Sequence, residues 1–393
     1  MPFLQSLRLD GLLSFAPGSE EIPLTGLNVL IGPNGSGKSN LIEAIELLHA
    51  TPTAFANAIR EGGGAEEWLW KGKGENGNAQ IEARLTPNGK TPGLRYRLAF
   101  TSSAHRTEVT DEALENIDKT RPAHPDVFFY YRFQGGRPVI NVKGKAGKRQ
   151  ERHLERQSLV PDESVLSQRK DPDLYPELTW VAQQFGRIQT FREWSFGRYT
   201  PVRKAQGADL PSDVLLADSL NLGLVLNELE HSDAWPEFNR LMQRFLPRYQ
   251  RFSTRVIGGT VQFHLHEEGL RKPIPATRLS DGTIRYMALL ALLLSPSLPP
   301  LICIEEPELG LHPDAVTLFA ELLVAASART QIIVTTHSDA LVSALTEQAD
   351  SVLVCEHIGS TVIRRIESVK LQYWLDKYRL GEIWRIGELG GNP

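Results

Sequence analysis

Short apolar stretches separated by glycine-containing turns occupy the first thirty residues, a pattern that is typical of β-strands. The last of these stretches, Leu27 to Ile31, leads directly into a glycine-rich octapeptide. The residues after it change period, because the apolar ones recur at helical spacing: Leu41, Ala44, Ile45 and Leu48. Residues 27–50 are therefore predicted to form a strand, a tight turn and a helix in that order.

The same criterion divides the whole chain into three segments. Strands are predicted in residues 76–100 and a hairpin in 127–142, so residues 1–160 are expected to form a β-rich lobe. Residues 161–252 are predicted to be a mostly helical insert punctuated by prolines. Strands then return and alternate with helices, which predicts a second lobe over 253–393. The fold class is thus α/β with a mixed sheet.

Composition supports a folded chain and limits its class. Hydrophobic residues make up 41% of the 393 residues and charged residues 23%, as in ordinary globular domains. The formal net charge of -4 argues against a globally basic nucleic-acid binder but allows a local basic patch. The chain has only two cysteines, which excludes a disulfide framework; both lie in apolar runs and are expected to be buried free thiols. No signal peptide or bilayer-length apolar segment is visible, so we expect a cytoplasmic protein without membrane contact.

The glycine-rich octapeptide, residues 32–39, matches the pattern G-x-x-x-x-G-K-[ST] of a phosphate-binding loop. Glycines let the backbone curl so that amide hydrogens point at phosphate oxygens, and the helix that follows adds the positive end of its dipole. Lys38 is expected to reach the β- and γ-phosphates, and the Ser39 hydroxyl to bind Mg²⁺. The residues predicted to bind nucleotide here are Asn34, Gly35, Ser36, Gly37, Lys38, Ser39 and Asn40.

A second candidate element is a buried strand that ends in two carboxylates, LICIEE at residues 301–306. Ligands of open α/β sheets bind at such carboxyl ends. We expect Glu305 to hold the Mg²⁺ shell and Glu306 to act as general base on the attacking water. His337 follows another buried strand and is a candidate hydrogen-bond donor to a γ-phosphate, with a structural histidine as the alternative.

With these motifs and two more, the chain resembles the ABC-type ATPases of the RecF/SMC-like branch. Residues 279–283, LSDGT, resemble the signature loop of that superfamily. Residues 305–313, EEPELGLHP, resemble the extended acidic motif of stand-alone OLD-like predicted AAA-family ATPases, and Thr336-His337-Ser338 resembles the switch histidine. The motifs occur in the order of the superfamily and extend over nearly the whole chain.

The resemblance implies a P-loop NTPase fold, a two-lobed ABC ATPase head that hydrolyses ATP with Mg²⁺. It also implies a homodimer in which two heads enclose ATP head-to-tail. In that arrangement Ser280, Asp281 and Gly282 of one head would contact the γ-phosphate bound to the other. The family carries a glutamine that contacts Mg²⁺ and the nucleophilic water. Gln168 is the candidate for that catalytic and metal-binding role, and Gln134 is the alternative.

The sequence departs from the family pattern in several places. Glu305 stands where Asp is commoner, and Asp281 stands where Gly is commoner. OLD-type relatives append a Toprim nuclease domain, whereas 56 residues follow His337 here and contain no Asp-x-Asp pair. We therefore expect no intrinsic nuclease. The resemblance leaves three outputs open: a DNA transaction, control of a separately encoded nuclease or toxin in anti-phage defence, and a scaffold in which ATP is structural.

Two further patterns allow more than one interpretation. A basic run is either a DNA-backbone contact or a solvated loop; its residues are Lys143, Lys145, Lys148, Arg149, Arg152 and Arg156. Arginines recur among aromatic residues between 187 and 203, which suits either nucleic-acid or partner binding, or an internally packed cap.

Overall fold

The computed structural model describes residues 2–73, 77–87, 93–118, 127–134, 136–144 and 149–391. The strands, in chain order, are β1 (Leu4–Asp10), β2 (Ile22–Pro23), β3 (Leu27–Ile31), β4 (Ala79–Leu85), β5 (Leu94–Ser103), β6 (Arg106–Asn116), β7 (Phe129–Gln134), β8 (Arg137–Lys143), β9 (Arg149–His153), β10 (Gln189–Phe191), β11 (Gln206–Gly207), β12 (Tyr249–Ile257), β13 (Thr260–Glu267), β14 (Ile274–Pro275), β15 (Leu301–Glu305), β16 (Gln331–Thr335), β17 (Val352–His357) and β18 (Thr361–Arg365).

The helices are α1 (Lys38–Ala50), α2 (Phe55–Glu61), α3 (Ala65–Trp68), α4 (Val165–Gln168), α5 (Pro176–Gly186), α6 (Leu222–Glu230), α7 (Trp235–Phe245), α8 (Asp281–Leu294), α9 (Pro313–Ser327), α10 (Asp339–Ala344), α11 (Ser368–Leu375) and α12 (Leu380–Arg385). Short 3-10 turns lie at Arg156–Ser158, Pro201–Arg203, Ala276–Arg278 and Thr346–Ser351. Within the described ranges, no helix combines the length and apolarity needed to cross a membrane.

The chain divides into two compact units. Unit 1 comprises Met1–Ile188, Ser351–Ile366 and Leu389–Pro393, and unit 2 comprises Gln189–Asp350 and Glu367–Glu388. The sequence predicted boundaries after residues 160 and 252, which differ from this division. The physical reason is packing: α5 lies within the predicted insert, but its Phe185 ring meets Tyr96 edge-on at 5.3 Å and Phe3 at 6.2 Å. The predicted insert is thus shared between the two units.

Unit 1 contains an antiparallel sheet in the order β2–β1–β4–β5–β6–β7–β8–β9. It also contains β3, which pairs in parallel with β17, and β18, which pairs antiparallel with β17. All five residues of β3 are buried, and α1 follows it after the glycine-rich loop. The predicted order of strand, turn and helix over residues 27–50 is confirmed.

Unit 2 places β10, β15 and β16 side by side in parallel, so β15 and β16 end at the same edge. Because Glu305 pairs with Thr335 at that edge, the acidic strand end and the switch-histidine segment are neighbours. The apolar helices α8 and α9 belong to the same unit and are largely buried. A separate antiparallel group consists of β11, β13 and β12, with β14 also paired to β13.

Two local predictions differ from the structure. Residues 187–221 contain strands and irregular segments rather than the predicted helices, and Phe191, Trp194 and Phe196 pack edge-to-face in their interior. Part of the basic run forms strand β9, which pairs with β8, where a loop was one of the expectations. The predicted hairpin over 127–142 is confirmed as β7 and β8.

Candidate functional site

The phosphate loop of unit 1 has the backbone that anion binding requires. Gly37 caps α1 in the left-handed region, with φ of 101°. A Cβ at Gly37 would lie 2.1 Å from Oγ1 of Thr361, so no other residue fits there without displacing the loop. The Lys38 ammonium is buried and donates to the carbonyls of Gly32 at 2.7 Å and Pro33 at 3.0 Å. The lysine is thus held beneath the curled loop, as a phosphate cradle needs.

A small polar network supports this loop from below. Asn40 donates its side-chain amide to the Ser14 hydroxyl at 2.6 Å, and Ser14 and Thr361 share a hydroxyl contact of 2.6 Å. Thr361 in turn donates to the Ser36 carbonyl at 2.9 Å. Sequence reasoning missed Ser14 and Thr361, because one precedes and the other follows the motif by a long stretch of chain. The Ser36 hydroxyl is buried and finds no hydrogen-bond partner within the described residues, which suits a bound phosphate.

The acidic strand end of unit 2 carries its two glutamates in different environments. Glu305 Oε2 accepts from Nε of Arg192 at 3.0 Å, an ion pair between residues at the ends of neighbouring strands. Sequence reasoning placed Arg192 only in the arginine and aromatic run. Both side chains are mostly shielded from solvent, so the guanidinium compensates a carboxylate that would otherwise be costly to bury.

Glu306 has an unusual backbone. Its φ of 46° is in the left-handed region, which a non-glycine residue adopts at a cost of about 1 kcal/mol or more. The Glu306 amide donates to the Thr335 carbonyl at 3.0 Å, which fixes this conformation. Its carboxylate Oε1 lies 3.6 Å from Nε2 of His337. Strained backbone of this kind occurs preferentially at functional sites, and here it occurs at the residue predicted to be the general base.

The turn after Glu306 brings a third glutamate into the interior. Glu308 accepts hydrogen bonds from the Thr336 hydroxyl at 2.6 Å and from the His337 amide at 3.0 Å. Burial raises the pKa of the Glu308 carboxyl above its usual range, although these hydrogen bonds oppose the rise.

The signature loop opens the 14-residue helix α8. Ser280 is its N-cap: the hydroxyl accepts from the Thr283 amide at 3.0 Å. Asp281 forms an ion pair with Arg203, and the Gly282 backbone lies against the Gly310 carbonyl, 2.8 Å from the position of a Cβ. The signature loop and the acidic motif therefore contact each other within unit 2.

The glutamine that was predicted to bind Mg²⁺ forms its hydrogen bonds with neighbouring residues of the chain. Gln168 ends α4, where its Oε1 accepts from the Val160 amide at 2.7 Å and its Nε2 donates to the Glu163 carbonyl at 3.0 Å. Its amide therefore stabilises a turn of unit 1, and the Mg²⁺ contact stays a prediction. The alternative, Gln134, ends β7.

The basic run is partly engaged in internal contacts. Arg149 forms an ion pair with Glu177 and lies 4.8 Å from the Tyr130 ring centroid. Lys143 and Arg152 are exposed. Lys145 and Lys148 lie outside the described residues, and Arg156 belongs to a 3-10 turn. Contact with DNA by this run stays a prediction.

Comparison with known proteins gives the family context. A family model described as "AAA domain, putative AbiEii toxin, Type IV TA system" matches residues 27–343. The chain is 40% identical over 73 residues to the Old nuclease of Escherichia phage P2, a match that spans 18% of this chain and 12% of that protein. It is 27% identical over 119 residues to the chromosome partition protein Smc of Clostridium kluyveri (strain NBRC 12016), spanning 29% and 10%. Each match thus spans about a tenth of the relative's own length.

Solved structures show the fold. A structure of an Smc head bound to the C-terminal winged-helix domain of ScpA is 14% identical, with a TM-score of 0.58, and the match covers 94% of this chain and 100% of that chain. An Smc head domain with an extended coiled coil, derived from Pyrococcus furiosus, is also 14% identical, with a TM-score of 0.56 and coverage of 96% and 99%. The predicted fold is confirmed: this is the α/β head of a P-loop NTPase of ABC type.

Proposed function

Because the chain belongs to the family of AAA domains described as "AAA domain, putative AbiEii toxin, Type IV TA system", we propose that it binds and hydrolyses ATP as a switch. The observation that carries this proposal is the phosphate loop. A buried strand, a glycine held at φ of 101° and a buried Lys38 ammonium occur together in it. This combination is suited to a triphosphate.

The reaction converts ATP and water to ADP and phosphate. The loop amides and the Lys38 ammonium bind the β- and γ-phosphates and stabilise the charge that develops on them. The Glu306 carboxylate takes a proton from the attacking water as its oxygen bonds to the γ-phosphorus and the bond to the ADP oxygen breaks. His337 donates a hydrogen bond to a γ-phosphate oxygen. Ser280, with the amides at Asp281 and Gly282, forms a second anion site at a helix N-terminus.

Magnesium fits the donor chemistry of these residues. The Ser39 hydroxyl of unit 1 and the Glu305 carboxylate of unit 2 are each a hard oxygen ligand of the kind that Mg²⁺ prefers alongside phosphate oxygens and water. When bound, Mg²⁺ would neutralise negative charge on the phosphates. Gln168 was predicted as a further ligand, but its amide is engaged by backbone groups of residues 160–164.

The signature loop supports a switch that works as a homodimer. Its anion site would receive the γ-phosphate bound to a second copy, so that ATP closes two heads and hydrolysis reopens them. Such an interface is isologous, because a two-fold axis makes the phosphate loop of each copy face the signature loop of the other. We further propose that the switch controls a partner, either a DNA transaction or a separately encoded nuclease or toxin in prokaryotic defence. A scaffold with structural ATP is the alternative, and turnover measured with and without DNA separates it from the DNA role.

The test compares ATP binding, phosphate release and molecular mass in solution for wild type and two variants. Lys38→Ala should lose ATP binding, because it removes the only charge that the loop motif supplies. Glu306→Gln should keep ATP binding, lose at least about 100-fold in turnover and accumulate as an ATP-bound dimer. Lys71→Ala is the matched control, since Lys71 is an exposed lysine of the same unit.

The outcomes separate the parts of the proposal. Unchanged phosphate release by Glu306→Gln would contradict its assignment as general base. Equal ATP affinity of wild type and Lys38→Ala would reject the whole proposal. If Glu306→Gln binds ATP but stays monomeric, the proposed homodimer is contradicted while the assignment as an ATPase stands.

A further inference from the structure

Glu308 joins the two chain segments that carry the proposed catalytic groups of unit 2. It lies in a turn in which the Leu309 amide donates to the Glu306 carbonyl at 3.2 Å and the Leu311 amide to the Glu308 carbonyl at 2.9 Å. Its Oε1 accepts from both the Thr336 hydroxyl and the His337 amide. One carboxylate oxygen therefore fixes the backbone immediately before and at the switch histidine.

The Thr336 side chain extends the contact by one residue. It is fully buried, and while its hydroxyl donates to Glu308 it accepts from the Ser338 amide at 2.9 Å. The backbone on both sides of His337 is thus tied to one buried carboxylate. A serine hydroxyl could make both bonds, whereas a valine of similar shape could make neither.

The second carboxylate oxygen of Glu308 makes this side chain costly to bury. Oε2 of Glu308 is buried and has no hydrogen-bond partner within the ranges that the structure describes. A buried carboxylate with half of its acceptors unused is costly, so a role confined to stability would favour a neutral side chain. Hydrogen bonds to an ionised acceptor are stronger than neutral ones, which favours a carboxylate wherever the orientation of the donors matters.

We propose that Glu308 is the positioning residue of the switch histidine: its carboxylate clamps Thr336 and His337 so that the imidazole stays beside Glu306. The distance of 3.6 Å between Glu306 Oε1 and His337 Nε2 is the geometry that the clamp maintains. Glu308 touches neither nucleotide nor water in this assignment and acts through His337. The inference rests on the proposed ATPase function.

If Glu308 positions His337, loss of Glu308 should lower the rate of ATP hydrolysis without weakening the binding of ATP. Because ATP affinity depends mainly on the phosphate loop, loss of the clamp should leave the dissociation constant for ATP within about twofold. Misplacement of His337 should lower kcat by about tenfold or more, as small displacements of catalytic groups do. Glu308→Ala and Thr336→Val should both show this pattern, and Thr336→Ser should retain most of the turnover.

A double-mutant cycle shows whether Glu308 acts through His337. If it does, the variant Glu308→Ala/His337→Ala should turn over no more slowly than His337→Ala alone, because the clamp then has nothing to position. The measurements are phosphate release, direct binding of ATP and the thermal midpoint of each variant. Glu321→Ala is the matched control, an exposed glutamate of the same unit whose loss should change neither kcat nor affinity.

Each result decides the inference. Multiplicative losses in the double variant, a wild-type rate for His337→Ala, or equal effects of Thr336→Ser and Thr336→Val would overturn it. If Glu308→Ala does not fold, the two Thr336 variants carry the test. Failure of the proposed function is distinguishable, because wild type itself would then release no phosphate or Lys38→Ala would match it.

Discussion

A single buried guanidinium holds the signature loop of unit 2. Arg203 is 2% exposed, and its Nε donates to the Phe196 carbonyl at 2.8 Å. Its Nη1 donates to the carbonyls of Ala276 at 3.1 Å and Leu279 at 2.5 Å, and its Nη2 pairs with Asp281. The planar fork of arginine allows one side chain to reach several backbone and carboxylate groups at once. The conformation of residues 276–281 therefore depends on this one residue.

We expect Arg203→Ala to destabilise the protein by about 3 kcal/mol, since it leaves buried carbonyl groups without their donor. Arg203→Lys should recover little of the loss, because one ammonium cannot reproduce the fork. Urea unfolding of both variants gives the change in the free energy of unfolding.

The matched control is Arg198→Ala, which removes an exposed arginine from the same segment. A surface change of this kind should stay within about 0.5 kcal/mol of wild type. Similar unfolding free energies for Arg203→Ala and Arg198→Ala would show that the buried guanidinium does not hold the loop.

How far residues were predictable depended on where their partners lie in the chain. The phosphate loop was found from the sequence because its residues are consecutive and the motif states their chemistry. Arg203 could not be found, because its partners Ala276, Leu279 and Asp281 are 73, 76 and 78 residues away. Gln168 shows the converse: a glutamine in the expected part of the chain forms its hydrogen bonds with Val160 and Glu163 of its own turn.

At the scale of elements, α8 and the acidic turn approach each other at backbone distance. A Cβ on Gly282 would lie 2.8 Å from the Gly310 carbonyl oxygen, and Gly310 itself has φ of 76°. Only a residue without a side chain allows the start of α8 to lie so close to the turn that carries Glu306 and Glu308. The start of α8 and that turn are therefore in direct contact.

We expect Gly282→Ala to lower ATP turnover by about tenfold or more, because the added methyl group displaces the 306–311 turn. The effect on stability should be smaller, since alanine favours the helix by about 1 kcal/mol over glycine. Phosphate release and thermal unfolding measured on the same variant separate the two effects.

Gly197→Ala is the control, because a Cβ at Gly197 meets no atom within 4 Å. It should change neither turnover nor stability by much. Wild-type turnover by Gly282→Ala would show that the close approach has no bearing on catalysis.

Elements with regular periodicity were predicted well, and irregular ones were not. Strand β15 and helix α1 appear near their expected positions, because burial on all sides or on one face leaves a clear pattern. Residues 187–221 lie in the segment that was predicted to be mostly helical, and that prediction is wrong for them, because they form short strands, turns and irregular segments. Phe191, Trp194 and Phe196 are instead fixed by each other and by Arg285, whose guanidinium lies 5.3 Å from the Phe196 ring centroid. Such long-range aromatic packing has no local period.

At the scale of the whole molecule, the order of motifs determined the fold class but not the division of the chain. Residues 351–366 follow most of unit 2 in the chain but belong to unit 1. They do so because β17 pairs with β3, a strand near the start of the chain. A linear division at residues 160 and 252 has no means of expressing such a return. Sequence periodicity locates strands, whereas pairing between distant strands decides the unit to which each belongs.

The stability of unit 1 should depend on pH through one buried glutamate. Glu112 accepts from the Tyr96 hydroxyl at 2.8 Å, the Ser164 hydroxyl at 2.5 Å and the Val165 amide at 2.8 Å. Burial raises the pKa of the Glu112 carboxyl to about 7, from 4.5 for an exposed glutamate. Between these values the folded protein binds a proton that the unfolded chain releases, so this carboxyl lowers the free energy of unfolding as the pH rises.

We therefore expect Glu112 to contribute a fall of roughly 3 kcal/mol in unfolding free energy between pH 4.5 and pH 7. Glu112→Gln, which carries no titrating proton, should remove that part of the slope, although its amide cannot accept from the Val165 amide as the second carboxylate oxygen does. Urea unfolding across this pH range measures both slopes. Glu155→Gln, at an exposed position of the same unit, should keep the wild-type slope. Identical slopes for wild type and Glu112→Gln would show that the buried carboxyl does not titrate in this range.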